Sequence, residues 1–262
     1  MSKKICRFLN PNEGEASYGL IEDETVYPVS AAQIFASSHA PARADAGFAL
    51  SEVKLLAPVA PSKIVCVGRN YKEHAAELGN PMPDEPLLFL KPPSSVVGHQ
   101  DAIELPPVSS RVEHEGELGV VIGRRAHRLS DSENPLHYVL GYTCVNDVTA
   151  RDLQRRDVQF TRAKSFDTFC PVGAYIVCGL DPFDLGVETR VNGEVRQSGR
   201  TSAMAFPVSY LIRYISHIMT LEPGDLISTG TPAGVAPLAD GDVCEVEVEH
   251  VGLLANPVRA GR

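Results

Sequence analysis

Two glutamates one residue apart, Glu115 and Glu117, lead straight into the apolar run Leu118-Gly119-Val120-Val121-Ile122. That run reads as a buried strand, and a strand places side chains two apart on the same face. The two carboxylates therefore converge at the mouth of the core. Burying two like charges with no cation is costly enough that one of them normally protonates. A divalent ion removes the conflict, so the spacing points first to a metal-dependent enzyme. The competing reading gives each glutamate an arginine partner.

Asp147 strengthens the metal reading. It closes the strand-like Leu140–Asn146 and precedes Val148–Gln154, a strand-to-helix transition that presents side chains in a cleft. Three carboxylates without clustered cysteine or histidine favour a hard ion, Mg²⁺ or Mn²⁺, with Ca²⁺ as a further candidate. The plain alternative for Asp147 is a helix cap. His74 and Glu77 stand three apart, so on a helix they share a face, and a carboxylate that holds an imidazole in one tautomer is what a general base requires. The plain alternative is a solvated pair. Lys164 sits beside a strand edge, where it would neutralise a substrate carboxylate or a developing oxyanion, or else be an ordinary surface charge. The small-residue loop Ser228–Val235 lacks the Gly-Lys-Ser/Thr ending of a phosphate loop and fits a tight turn or close approach to a small anion. His99, His114, His127, His137, His217 and His250 have no comparable setting and read as structural.

With 262 residues, a net charge of −9 and a sequence pI near 5.4, the chain lacks the basic surface that nucleic acid demands. No run approaches the roughly 18 apolar residues of a membrane span, and no secretory leader is visible. Neither nucleic acid nor membrane is expected as a partner. The six cysteines have no CxxC spacing, so reduced thiols in a cytoplasmic protein are expected.

The prolines of Ala57-Pro58-Val59-Ala60-Pro61 mark a linker, dividing the chain into a small N-terminal domain, 1–58, and a catalytic domain, 59–262. Arg69–Leu78 reads as a short helix, and Gly79–Pro86, with three prolines, as a mobile loop. Most other apolar segments are short and turn-bounded, a β pattern: Leu87–Leu90, Ala102–Leu105, Glu117–Ile122, Val139–Val145, Gly173–Cys178, Glu188–Val191, Asp225–Ser228 and Val243–Val248. Asn192-Gly193 is a two-residue hairpin signal. Val208, Leu211, Ile212, Ile215, Ile218 and Met219 fall at helical spacing. The class is β-rich α+β.

Together these segments resemble the fumarylacetoacetate hydrolase superfamily. The motifs are GRNYKEHAAE (68–77), EGELGVVIG (115–123), GYTCVNDVTARDLQ (141–154), KSFDTFCPVG (164–173), VNGE (191–194) and LEPGDLISTGTPAGV (221–235). The resemblance implies a mixed β-roll with a small N-terminal α/β domain, assembled as a homodimer. It implies a divalent cation on Glu115, Glu117 and Asp147, and His74 with Glu77 as base dyad on a lid. Lys164 joins the catalytic set, and Arg69, Tyr71, Arg151, Gln154 and Thr231 become substrate contacts. Ala163 and Ala236 stand where many members have glycine, which blurs the substrate assignment. The leading expectation is hydrolytic cleavage of a carbon–carbon bond in a 2,4-dioxo acid of the acylpyruvate or fumarylpyruvate type, as in aromatic catabolism. The alternatives are decarboxylation of oxaloacetate, isomerisation of a 2-hydroxy-dienedioate, or non-catalytic binding of a small acid.

Overall fold

The computed structural model describes residues 3–36, 44 and 46–261. Its largest sheet runs, edge to edge, through Phe48–Ala49, Thr25–Val29, Ala16–Glu22, Lys4–Leu9, Ile176–Val177, Val139–Asn146, Gly116–Ile122, Leu226–Ser228, Ile64–Gly68 and Leu87–Lys91. Lys54–Leu56 pairs with Lys4–Leu9 beside this path. Neighbours are antiparallel except Leu226–Ser228, which lies parallel to Ile64–Gly68. A second sheet orders Glu194–Arg200, Gly186–Val191, Val243–Val248, Gly252–Ala260 and Ile103–Leu105. Both sheets are open and mixed, since Gly252–Ala260 lies parallel to Ile103–Leu105 in the second, and the architecture is the expected β-rich α+β. The strands of the 1–58 segment extend this same sheet: Lys4 and Ile5 pair with Val177 and Ile176.

The strand Gly116–Ile122 explains the layout. All seven of its residues are buried, because both of its faces are covered. Leu118, Val120 and Ile122 pack with Val187, Val246 and Leu254 of the second sheet and with Leu211, Ile212 and Ile215 of the helix Val208–Ile218. Val121, on the opposite face, joins Ile5, Cys66, Val145, Cys170 and Ile176. Each of the three helical side chains is fully buried, and each such burial contributes about 1.5–3 kcal/mol. The glycine between the two glutamates has a packing cause. A Cβ at Gly116 would stand 2.0 Å from Thr189 Oγ1 of the second sheet.

Local expectations and structure differ in instructive places. The Asn192-Gly193 turn forms as expected, with both residues at the positive φ (55° and 78°) that this hairpin requires. The helix expected over 69–78 shortens to Lys72–Glu77, because Arg69 turns left-handed (φ 56°) and Tyr71 bridges to Met204. The strand expected over 173–178 shrinks to Ile176–Val177. Gly252–Ala260 is a strand that its Asn256-Pro257 pair conceals, since those residue types ordinarily break strands. All six cysteines are free. Among the described residues no helix is long and apolar enough to cross a membrane.

Candidate active site

The convergence expected of Glu115, Glu117 and Asp147 is realised. Glu117 pairs with Val145 across the antiparallel ladder, and the amide of Asp147 donates to the carbonyl of Glu115 at 2.9 Å. Each residue offers a carboxylate oxygen within 4.8 Å of the others, and all three side chains are buried. Oxygens held 2.0–2.6 Å from one hard cation stand no more than about 5 Å apart, so the spacing suits Mg²⁺, Mn²⁺ or Ca²⁺.

The cations around this triad are already distributed. Lys164 Nζ donates to Glu115 Oε2 (2.8 Å) and to Asp147 Oδ2 (2.7 Å). Lys91, fully buried, donates to Asp147 Oδ1 and to the Val148 carbonyl at 3.1 Å. Arg151 braces the cluster from a third side: Nη2 reaches Glu115, Nε reaches Glu113 at 2.6 Å and Nη1 reaches Gln154 Oε1 at 2.6 Å. The carboxylate triad that could hold a metal is therefore also part of an ion-pair network. Glu117 is the exception, because its partners are the Ser228 hydroxyl and the Gly230 amide (2.8 Å), both on Oε2, and no described cation bonds it.

The protonation states follow from that asymmetry. Burial opposes ionisation of Glu115, but Lys164, Arg151 and His74 together hold its carboxyl far below the usual range. Burial, then Asp147 and Glu115, push Glu117 up to about 8. Burial works against the charge on Lys164, yet Asp147 and Glu115 outweigh it and raise the ammonium above its ordinary value. An uncompensated carboxylate inside an all-oxygen donor set is what a dication would satisfy. Glu115, Glu117 and Asp147 thus fit the divalent cation that the resemblance implies.

The triad lines a cavity of about 210 Å³, together with His74, Lys164, Arg69, Arg151, Gln154, Thr231, Phe89, Phe160 and Arg155. That is smaller than the roughly 300 Å³ at which drug-sized sites begin, so the cavity has room only for a small molecule. His74, nearly buried in the helix Lys72–Glu77, holds Glu77 Oε2 through Nδ1 at 3.4 Å. Glu77 in turn accepts from the Gly234 amide at 3.1 and 3.2 Å. Only glycine serves at 234, since φ is +103° and a Cβ would meet the Arg196 carbonyl oxygen at 2.0 Å. Arg151 takes the Gln154 oxygen, which leaves the Gln154 amide nitrogen without a partner among the described residues. The Thr231 hydroxyl donates to the Gly116 carbonyl and accepts from Gln197, both within 2.8 Å. Tyr71 does not line the cavity. It packs in the core, its hydroxyl has no partner among the described residues, and burial followed by the Glu117 charge pushes its phenol up.

Sequence reasoning passed over Lys91, Glu113, Gln197 and Arg155. Lys91 carried one visible signal, a lysine closing the apolar run Leu87–Leu90. Gln197 carried none. It accepts from the Gly116 amide (2.9 Å) and bonds His114 Nδ1 (3.1 Å), both some eighty residues away in sequence, and donates to the Pro232 carbonyl (2.7 Å).

Fold and site define a sheet-rich class of protein with a small cavity lined by acidic side chains and braced by lysine and arginine. The chain belongs to the fumarylacetoacetate hydrolase family. Residues 63–259 match the profile described as fumarylacetoacetate (FAA) hydrolase C-terminal, and residues 3–58 match one described as Rv2993c-like, N-terminal. A chain from Archaeoglobus fulgidus is 56% identical over 207 residues, covering 79% of this chain and 82% of its own. The oxaloacetate tautomerase YisK of Bacillus subtilis is 46% identical over 226 residues, covering 80% and 75%. Among solved structures, a 2-hydroxyhepta-2,4-diene-1,7-dioate isomerase from Mycobacterium marinum superposes with a TM-score of 0.87 at 42% identity, covering 98% of each chain.

Proposed function

We propose that the protein interconverts tautomers or double-bond isomers of a small 2-oxo acid, with oxaloacetate as the simplest candidate. The observation that carries this reading is the meeting of His74, Lys164 and the carboxylate triad in one small cavity. The tautomerase and isomerase named above support it. A divalent cation on Glu115, Glu117 and Asp147 would supply chelation of the 2-oxo acid head and withdrawal of electron density from its carbonyl. Glu77 occupies His74 Nδ1, so Nε2 is the atom left to exchange a proton. Nε2 takes a proton from C3, and the C–H electron pair moves into a C2–C3 double bond as charge passes to the 2-oxo oxygen. Lys164, its ammonium fixed by two carboxylates, meets that developing charge. Protonation at oxygen completes the enol, and the reverse sequence regenerates the ketone.

Carbon–carbon hydrolysis of an acylpyruvate is the second reading, supported by the family's hydrolase profile and by a dyad equally suited to deprotonating water. One experiment separates them. Oxaloacetate and acetylpyruvate are supplied with Mg²⁺ or Mn²⁺, with and without chelator, while enol absorbance, deuterium uptake at C3 and products are followed. Chelator-sensitive enol–keto equilibration without cleavage is expected. Cleaved acetylpyruvate beside inert oxaloacetate would transfer the assignment to hydrolysis.

A further inference from the structure

We propose that Arg155, together with Arg69, receives the distal carboxylate of a dicarboxylic 2-oxo acid and thereby sets a preference for substrates charged at both ends. This rests on the 2-oxo acid reading above and specifies its substrate class. Arg155 lies in the last turn of the helix Arg151–Arg156, lines the cavity, and makes no hydrogen bond or ion pair with any described residue. Its neighbour Arg156 does not line the cavity and stands 4.0 Å from Asp157. Nearby acids are committed elsewhere. Asp157 is gripped by Arg162 through two hydrogen bonds, and Asp152 by Ser109 and Ser110. Inside the cavity Glu115 and Asp147 are already bonded to Arg151, Lys164 and Lys91.

Arg69 makes the same point from another element. It is half-buried, lines the same cavity and has no described partner, and its backbone is left-handed (φ 56°), a conformation that costs a residue other than glycine about 1–2 kcal/mol. The next residue enforces it. Asn70 donates to the carbonyls of Thr229 (2.7 Å) and Phe206 (3.0 Å) and accepts from the Phe206 amide (2.8 Å). Strain held in place at a cavity wall is a sign of use rather than of folding convenience. Arg155 is exposed and Arg69 half-buried, and with no partner among the described residues both guanidinium groups are free to meet an anion at the cavity, where a carboxylate matches the guanidinium fork. Phe89 and Phe160 meet edge to face in the same wall, their centroids 5.6 Å apart, which gives a short carbon chain an apolar surface. One end of such an acid is held at the triad and the other at the arginines.

The test measures the affinity of the Mg²⁺-loaded protein for pyruvate, which carries the 2-oxo acid head alone, and for oxaloacetate, by calorimetry independently of turnover. Wild type should prefer oxaloacetate, and R155Q and R69N should each cut that preference about tenfold, the effect of losing one charge-assisted hydrogen bond. R155K should restore part of it, and R69N should keep or raise Tm, because asparagine tolerates the left-handed backbone. An unchanged preference in both variants, or a wild type that does not discriminate, overturns the assignment of the arginines. A wild type that binds neither acid overturns the 2-oxo acid reading itself.

Discussion

Each carboxylate of the triad is bonded from two directions, whereas the His74 imidazole rests on a single described contact of 3.4 Å. The triad sits where the central strand of the large sheet meets Val139–Asn146, and its cations arrive from the Leu87–Lys91 strand and two helices. His74 sits on a six-residue helix with no side-chain cap, tied back by Glu77 to the Gly234 amide. A helix that short has no stability of its own and depends on what it docks against. The carboxylate end of the cavity is thus part of the core, while the end to which we assign proton transfer is carried by a short docked helix. Chelating groups tolerate no misplacement, but a group that shuttles a proton also has to let substrate enter.

The sharpest way to break this contrast is to remove a carboxylate. Asp147→Ala leaves Lys91 and Lys164 without a shared partner in a buried site. Stripping one member from such a network costs about 3–5 kcal/mol. Denaturant unfolding should therefore show a large stability loss along with loss of activity. An Asp147→Ala protein with unaltered stability would show that the triad is an ornament on the core rather than a part of it. The opposite signature is expected of His74→Ala, where turnover should fall by about 10²–10⁴-fold. Stability should drop far less than in Asp147→Ala, and calorimetric Mg²⁺ affinity should hold. If Mg²⁺ affinity collapses along with the rate, the two ends are not separable.

The sequence disclosed these two regions unequally. Glu115, Glu117 and Asp147 were legible because a strand's twofold period puts the glutamates on one face, and His74 with Glu77 because helical spacing does the same. Both signals are local. Lys91 meets Asp147 across 56 positions and Gln197 meets Gly116 across 81, so their roles depend on sheet order, which no residue pattern encodes. The sheet order itself, with a parallel Ile64–Gly68 and Leu226–Ser228 pair inside an antiparallel frame, was likewise invisible. Arg69 shows the limit from the other side. The apparent helix 69–78 is helical from Lys72 only, because Asn70 bonds to distant carbonyls that override local propensity.

The smallest expected effect sharpens the contrast within the triad itself. Among its carboxylates only Glu117 has no bonded cation among the described residues, and its carboxyl is raised from 4.5 to about 8. Between those values the folded, metal-free protein holds a proton that the unfolded chain has released. Its contribution to stability is therefore complete below about pH 4.5 and is lost as pH climbs through 8, with a slope of at most about 1.4 kcal/mol per pH unit. Thermal melts of metal-free protein from pH 5 to pH 8.5 should show Tm falling, and Glu117→Gln, which cannot ionise, should flatten that fall. A Mg²⁺ ion held by Glu117 would displace the same proton, so its stabilising effect should grow as pH rises, in wild type and not in Glu117→Gln. Equal slopes in the two metal-free proteins would mean that Glu117 is already ionised without metal, and that it does not set the pH dependence.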